Sequence, residues 1–177
     1  SAGRPGWSRP GARRLLMRGI IRTATGDIAP HELGRTDYHE HLFQVSPLLP
    51  GDDLDDESAS AAEAASLARS GFDAMVDATP LGLGRRPAAI ARIARASGLT
   101  VVLTTGVHRR EHYLDDDPLL SLDAHDLHSA FLADLVEGAS EPDGSRVGGV
   151  RAGLMKVGLG YWRIDALARR AIDAIGE

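Results

Sequence analysis

Cysteine is absent from this 177-residue chain. That excludes disulfides, thiolate metal ligands and a cysteine nucleophile. Long apolar runs are also absent, and none approaches the roughly 20 residues that cross a bilayer as a helix. Neither glycine signature for phosphate binding is present. No Gly-x-Gly-x-x-Gly follows the first strand-like run, and Gly82-Leu-Gly-Arg85 lacks the Gly-Lys-Ser/Thr of a P-loop. Positive charge is in deficit: 20 Lys and Arg stand against 25 Asp and Glu, a formal charge of −5. This balance argues against nucleic acid or an anionic membrane as partner. Arg4, Arg9, Arg13 and Arg14 make the N-terminus locally basic, but no apolar stretch of about 7–15 residues follows to complete a secretory signal. A cytoplasmic protein is expected.

What is present describes a soluble globular chain, 43% hydrophobic and 25% charged. The length suits one domain and falls short of the roughly 250 residues of a complete eightfold α/β barrel. Residues 1–18 read as a disordered basic extension, with Met17 close to the true start. Residues 19–34 read as a β-hairpin turning at Thr25-Gly26-Asp27. Strand and helix then alternate four times: strands over 35–42, 72–79, 100–105 and 149–157, helices over 58–70, 87–97, 122–137 and 164–175. Ser58 is the expected cap of the first helix. The acidic residues Asp52, Asp53, Asp55 and Asp56 lack calcium-loop spacing and read as a solvated loop. Such alternation means parallel strands with crossover helices. The fold class is α/β, a partial TIM (β/α)8 barrel made of the hairpin and roughly four β/α units over residues 35–177.

The candidate chemistry lies at strand C-termini, the active face of a barrel. In a strand, His39 and His41 point to one face and Glu40 to the other. Two imidazoles at that spacing can grip a divalent zinc, nickel or iron. Taken alone, the pair reads equally well as strand histidines with backbone partners. Lys156 lies in Arg151-Ala-Gly-Leu-Met-Lys-Val157, where Leu154, Met155 and Val157 imply burial. Burial lowers a lysine pKa. The free amine can take up carbon dioxide, and the resulting carbamate can bridge two cations. The competing account is a lysine whose stem packs while its ammonium reaches water. His108, Arg109 and Tyr113 follow the third strand of the alternation and are expected to line a substrate pocket; a solvated loop is the other reading. His125 and His128 share a helix face and read as exposed. Gly82-Leu-Gly-Arg85 reads as a loop needing glycine conformations rather than an anion site.

Asp37-Tyr-His-Glu-His-Leu42, Val76-Asp-Ala-Thr-Pro80 with Gly82-Leu-Gly-Arg85, Thr104-Thr-Gly106 and Arg151-Ala-Gly-Leu-Met-Lys-Val157 stand in order. Together they resemble the phosphotriesterase family of the amidohydrolase superfamily, from about residue 19 onward. The resemblance implies an eight-stranded barrel with two divalent metals, usually zinc, and hydrolysis of phosphotriesters, lactones or related small-molecule esters by metal-activated water. It implies that His39 and His41 ligate one metal and that catalytic Lys156, as a carbamate formed with carbon dioxide, bridges the two. The family also uses histidines on its fifth and sixth strands and an aspartate on its eighth. These have no counterpart before Glu177. The chain is therefore expected to be an N-terminal half, inactive by itself, of an enzyme that forms a homodimer at full length. A non-enzymatic remnant, a half-barrel needing a partner chain and another amidohydrolase stay open as alternatives, although Lys156 argues against a deaminase.

Overall fold

The computed structural model describes residues 19–177. The expected basic extension over residues 1–18, Met17 included, lies outside the described residues. Strands β1 (Ile21–Thr23) and β2 (Gly26–Ile28) form the antiparallel hairpin, turning at Ala24 and Thr25, slightly before the expected position. There follow β3 (Thr36–Glu40), α1 (Glu57–Arg69), β4 (Ala74–Asp77), α2 (Pro87–Ser97), β5 (Thr100–Val107), α3 (Ala124–Val136), β6 (Gly138–Ser140), β7 (Arg146–Gly148), β8 (Ala152–Val157) and α4 (Ala166–Gly176). Strands β3, β4, β5 and β8 make one parallel sheet in that order. The alternation read from the sequence is therefore realised as four neighbouring parallel strands in an open sheet.

Local chemistry sets the helix limits. Asp56, not Ser58, caps α1: its carboxylate accepts from the Ser58 and Ala59 N–H groups. Part of the acidic loop is thus a helix start. Asp123 and Asp165 cap α3 and α4 in the same way. Pro87 opens α2 and Gly98, at φ 79°, closes it. The hairpin β6–β7 has no clear sequence sign, because Gly138 reads as a helix stop. Its glycine serves close approach instead, since a Cβ there would lie 2.6 Å from the Val147 carbonyl oxygen.

Alternation along the strands divides the sheet into two faces. Met75, Val101 and Leu103 join Ala64 of α1 and Ile90, Ile93 and Ala94 of α2 in one core. Val107 joins Leu127 and Phe131 of α3 and Leu167 and Ala171 of α4 in a second. Val76, Thr104, Leu154 and Lys156 line a cleft away from these cores. The hairpin sits against the sheet, with the Ala24 N–H donating to the Val101 carbonyl at 2.8 Å. One expectation is corrected here. Leu154 and Met155 do not bury Lys156; they are 45% and 40% exposed, because β8 is an edge strand with no neighbour on its far side among the described residues.

A buried ion pair ties the second half together. Arg85, in the loop after β4, donates to Asp134 of α3 at 2.9 Å, and both side chains are almost fully buried. Asp134 also accepts from Thr105 Oγ1, the Ser140 N–H and Arg146. The Gly82-Leu-Gly-Arg85 segment is thus a structural loop, with Gly82 and Gly84 at φ 78° and 76°. Asp134→Ala would strand the Arg85 guanidinium without a counter-charge. It should destabilise the chain by about 3–5 kcal/mol, measured by urea denaturation.

Candidate functional site

Asp77 ends β4 as a fully buried carboxylate. One oxygen accepts from the Leu42 N–H and the other from the Thr79 N–H, both at 3.0 Å. These two bonds fix the chain just after His41 to the chain just after β4. Burial pushes the Asp77 carboxyl above its ordinary range, opposed by the same two N–H groups, which favour the charged form.

His41 lies one residue beyond β3, whose pairing with β4 is irregular between Asp37 and Glu40. Simple strand alternation therefore does not place it, yet the two rings do meet. Those of His39 and His41 are 5.3 Å apart at 69°. His41 Nδ1 is 2.7 Å from Thr79 Oγ1, and that hydroxyl donates its only proton to the Phe43 carbonyl at 2.8 Å. Thr79 must therefore accept from His41. The proton sits on Nδ1, and Nε2 keeps its lone pair. Burial is the first cause that lowers the His41 pKa, to about 4, with Lys156, His39 and His112 adding repulsion. His39 is exposed and shares a cleft of about 280 Å³ with Lys156.

Lys156, half-buried on β8, donates from Nζ to the Ala78 carbonyl at 2.8 Å. Burial lowers its pKa, offset in part by Asp77. His39, His41 and Lys156 thus gather at the ends of two strands, β3 and β8. Among the described residues, no group of three or more His, Asp or Glu side chains is placed to hold a metal ion. The convergent set is two imidazoles and one amine.

The loop after β5 adds a second layer. His108 Nδ1 accepts from the Arg109 N–H at 2.7 Å, so the neutral ring carries its proton on Nε2 as a donor. Burial leads the causes that lower its pKa to about 3, with His112, Lys156 and Arg109 following. His112 packs on it at 3.8 Å between ring centres. Arg109 can only donate and faces His112 Nε2 at 3.4 Å; the His112 proton accordingly sits on Nδ1, toward Ser46 Oγ at 3.0 Å. Tyr113 is a wall residue rather than an open pocket residue. It is 3% exposed, its hydroxyl accepts from the His108 N–H and donates to the Leu81 carbonyl, and burial raises its pKa. On α3, His125 is exposed, while His128 meets the Ala174 carbonyl of α4 at 3.0 Å.

Asp77, Thr79 and Ser46 are site-building residues that the sequence reading passed over. For Asp77 a signal existed, an acid inside the apolar run Phe72 to Thr79. For Thr79 and Ser46 there was none, because their partners stand 38 and 66 residues away.

Comparison with known proteins adds lineage. Residues 19–177 match the phosphotriesterase family. A phosphotriesterase homology protein of Mycobacterium tuberculosis is 32% identical over 171 residues, which is 89% of this chain and 50% of that protein. A lactonase from Listeria monocytogenes superposes with a TM-score of 0.75 at 27% identity, over 89% of this chain and 52% of its own. The organophosphorus hydrolase of Deinococcus radiodurans superposes at 0.70 with 26% identity, over 88% and 48%. The chain spans about half the length of the curated relatives it matches.

Two measurements test the geometry. In long-range 1H–15N spectra, His41 should show the Nδ1–H tautomer. Thr79→Val should release it toward Nε2–H, and Thr79→Ser should retain it. A second test uses pH. The unfolded chain protonates His108 near pH 6.5, whereas the folded one resists down to about 3. Stability should therefore fall as pH drops below about 6.5, because the unfolded state binds the proton first. His108→Asn, which can still accept from the Arg109 N–H, should make that dependence shallower in urea midpoints taken across pH 4–7, leaving the share that His41 and His112 contribute.

Proposed function

The chain belongs to the phosphotriesterase family, and we propose that it supplies one half of the site of a metal-dependent hydrolase acting on small-molecule esters. The pair His39–His41, with Lys156 across the cleft, carries this reading. The donor set fits a divalent cation. His41 is held neutral with Nε2 free, and imidazole suits zinc. Two imidazoles on a tetrahedral zinc at ordinary bond lengths have ring centres about 5 Å apart, and these stand at 5.3 Å.

His39 and His41 would hold one cation, and Lys156 as a carbamate would bridge to a second. The lysine amine adds to the carbon of carbon dioxide, a C–N bond forms, and one proton is released. Burial lowers the Lys156 pKa and so favours the free amine this addition requires. Bound metal would supply Lewis acidity toward the ester oxygen and a water acidic enough to attack near neutral pH. The chain's own residues prepare that chemistry. Asp77 and Thr79 orient His41, and His108 offers an Nε2–H donor beside the same strand ends. The names of the lactonase and the organophosphorus hydrolase among the relatives support lactones and phosphotriesters as substrate classes. Both present an electrophilic centre beside a polarisable oxygen. The further histidines and the aspartate of the family site have no counterpart among the described residues, so catalysis would require ligands from additional polypeptide.

The test is spectroscopic. With zinc and 13C-bicarbonate, the 177-residue chain should show a carbamate carbon resonance that Lys156→Ala abolishes, and His39→Ala with His41→Ala should abolish the weak zinc uptake that two imidazoles give, measured by calorimetry. A lactone or an aryl phosphotriester should be turned over weakly at best. Rapid turnover by this chain, or unchanged zinc uptake in the variants, would refute the assignment.

A further inference from the structure

The turn after β8 presents its two largest side chains to water. Tyr161 and Trp162 are 88% and 89% exposed, with their rings edge to face at 5.3 Å. Gly160 to Arg163 forms the turn, closed by an antiparallel bridge between those residues. Trp162 occupies its third position at φ 56°, the one positive φ at a non-glycine residue among the described residues. Glycine or asparagine is favoured at such a position. A bulky side chain held there is strained, and strain of this kind gathers at ligand sites. Packing within the described residues gives no return for it, because both rings stand in solvent.

The turn is built against the candidate site. The Gly158 N–H donates to the Val107 carbonyl at 2.9 Å, and a Cβ on Gly158 would come within 2.5 Å of Arg109 N. Glycine is required there for the loops after β5 and β8 to touch. Together they border a shallow, open cleft of about 480 Å³ lined by Arg109, Leu159, Gly160, Tyr161 and Trp162. That size suits a small organic ligand. Its charge is of one sign. Arg109 makes no ion pair among the described residues, its one side-chain hydrogen bond being the long approach to neutral His112. Arg163 stands on the same turn, and Asp165 is engaged as the cap of α4. In a chain of net charge −5, this is a local cationic mouth with an aromatic wall. A guanidinium matches an oxyanion through two N–H groups, and an aromatic face takes a flat ring.

We propose that Arg109, Tyr161 and Trp162 form a binding subsite for an organic anion that carries a flat ring, the anion on Arg109 and the ring on the Tyr161–Trp162 pair. As the outer subsite of an ester hydrolase it rests on the reading above; as a binding site it does not. Trp7 and Trp162 are the two tryptophans of the sequence, so Trp7→Phe leaves Trp162 as the only fluorescent indole. In that background, metal-free, phenyl phosphate should change Trp162 emission saturably and bind at least tenfold more tightly than phenol or inorganic phosphate alone. Arg109→Gln should remove the preference for phenyl phosphate over phenol, and Tyr161→Ala should weaken phenyl phosphate about tenfold. Benzoate in place of phenyl phosphate shows whether a carboxylate serves as well as a phosphate, and tighter binding than phenol by either anion supports the subsite. A response to phenol equal to that of both anions, unmoved by Arg109→Gln, would mean an unspecific apolar patch and overturn the proposal, as would no saturable response. Zinc and carbamate play no part in this titration, so its failure and that of the hydrolase assignment are separable.

Discussion

The site depends on one buried carboxylate. Asp77 accepts two backbone N–H bonds from segments that the chain separates by 37 residues, Leu42 and Thr79. Hydrogen bonds to a charged group contribute about 1.5–3 kcal/mol each. The larger consequence is positional. His41 lies outside the regular ladder of β3, where backbone pairing no longer dictates its direction. Asp77 replaces that pairing, and Thr79, two residues on, then holds the imidazole itself. Supporting bonds of this kind fix the orientation and tautomer of an imidazole. Here the support is assembled by the end of β4.

Around that anchor the electrostatics follow one theme. His41, His108 and His112 are all pushed toward the neutral form, first by burial and then by neighbouring cations, Lys156 among them. A neutral imidazole is a ligand or a hydrogen-bond donor, not a counter-ion. Burial acts on Lys156 in the same direction. The opposite arrangement holds on the helical side. There Arg85 and Asp134 are paired inside the core and make the loop after β4, β5, α3 and β6 a single unit. One face of the sheet stores charge as a closed ion pair, and the other holds its basic groups against neutral partners, the Thr79 and Ser46 hydroxyls and the Ala78 carbonyl.

Much of this was legible in the residues. The spacing Pro87 to Gly98 marks α2 to the residue, because proline and glycine act through local sterics. The apolar run from Thr100 marks β5 because a strand buried on both faces has no polar alternation to hide it. The short hairpin β6–β7 was not legible: three-residue strands carry too few side chains to show a period. The burial of Lys156 was inferred from the wrong neighbours. Leu154 and Met155 are apolar but stand at a sheet edge, and hydrophobicity alone does not tell an edge strand from a central one.

The sequence by itself determined the order of the β/α units apart from the hairpin β6–β7, the parallel sheet it implies and the identity of His39, His41 and Lys156 as residues at strand ends. These rest on periods and punctuation, which are properties of neighbouring residues. Only the tertiary structure decided that Thr79 sets the tautomer of His41, that Ser46 holds His112, that Tyr113 is wall rather than pocket, and that Tyr161 and Trp162 stand beside Arg109. Each of these joins residues from different β/α units. Their meeting depends on strand order and register, and no local pattern in the chain encodes those distances.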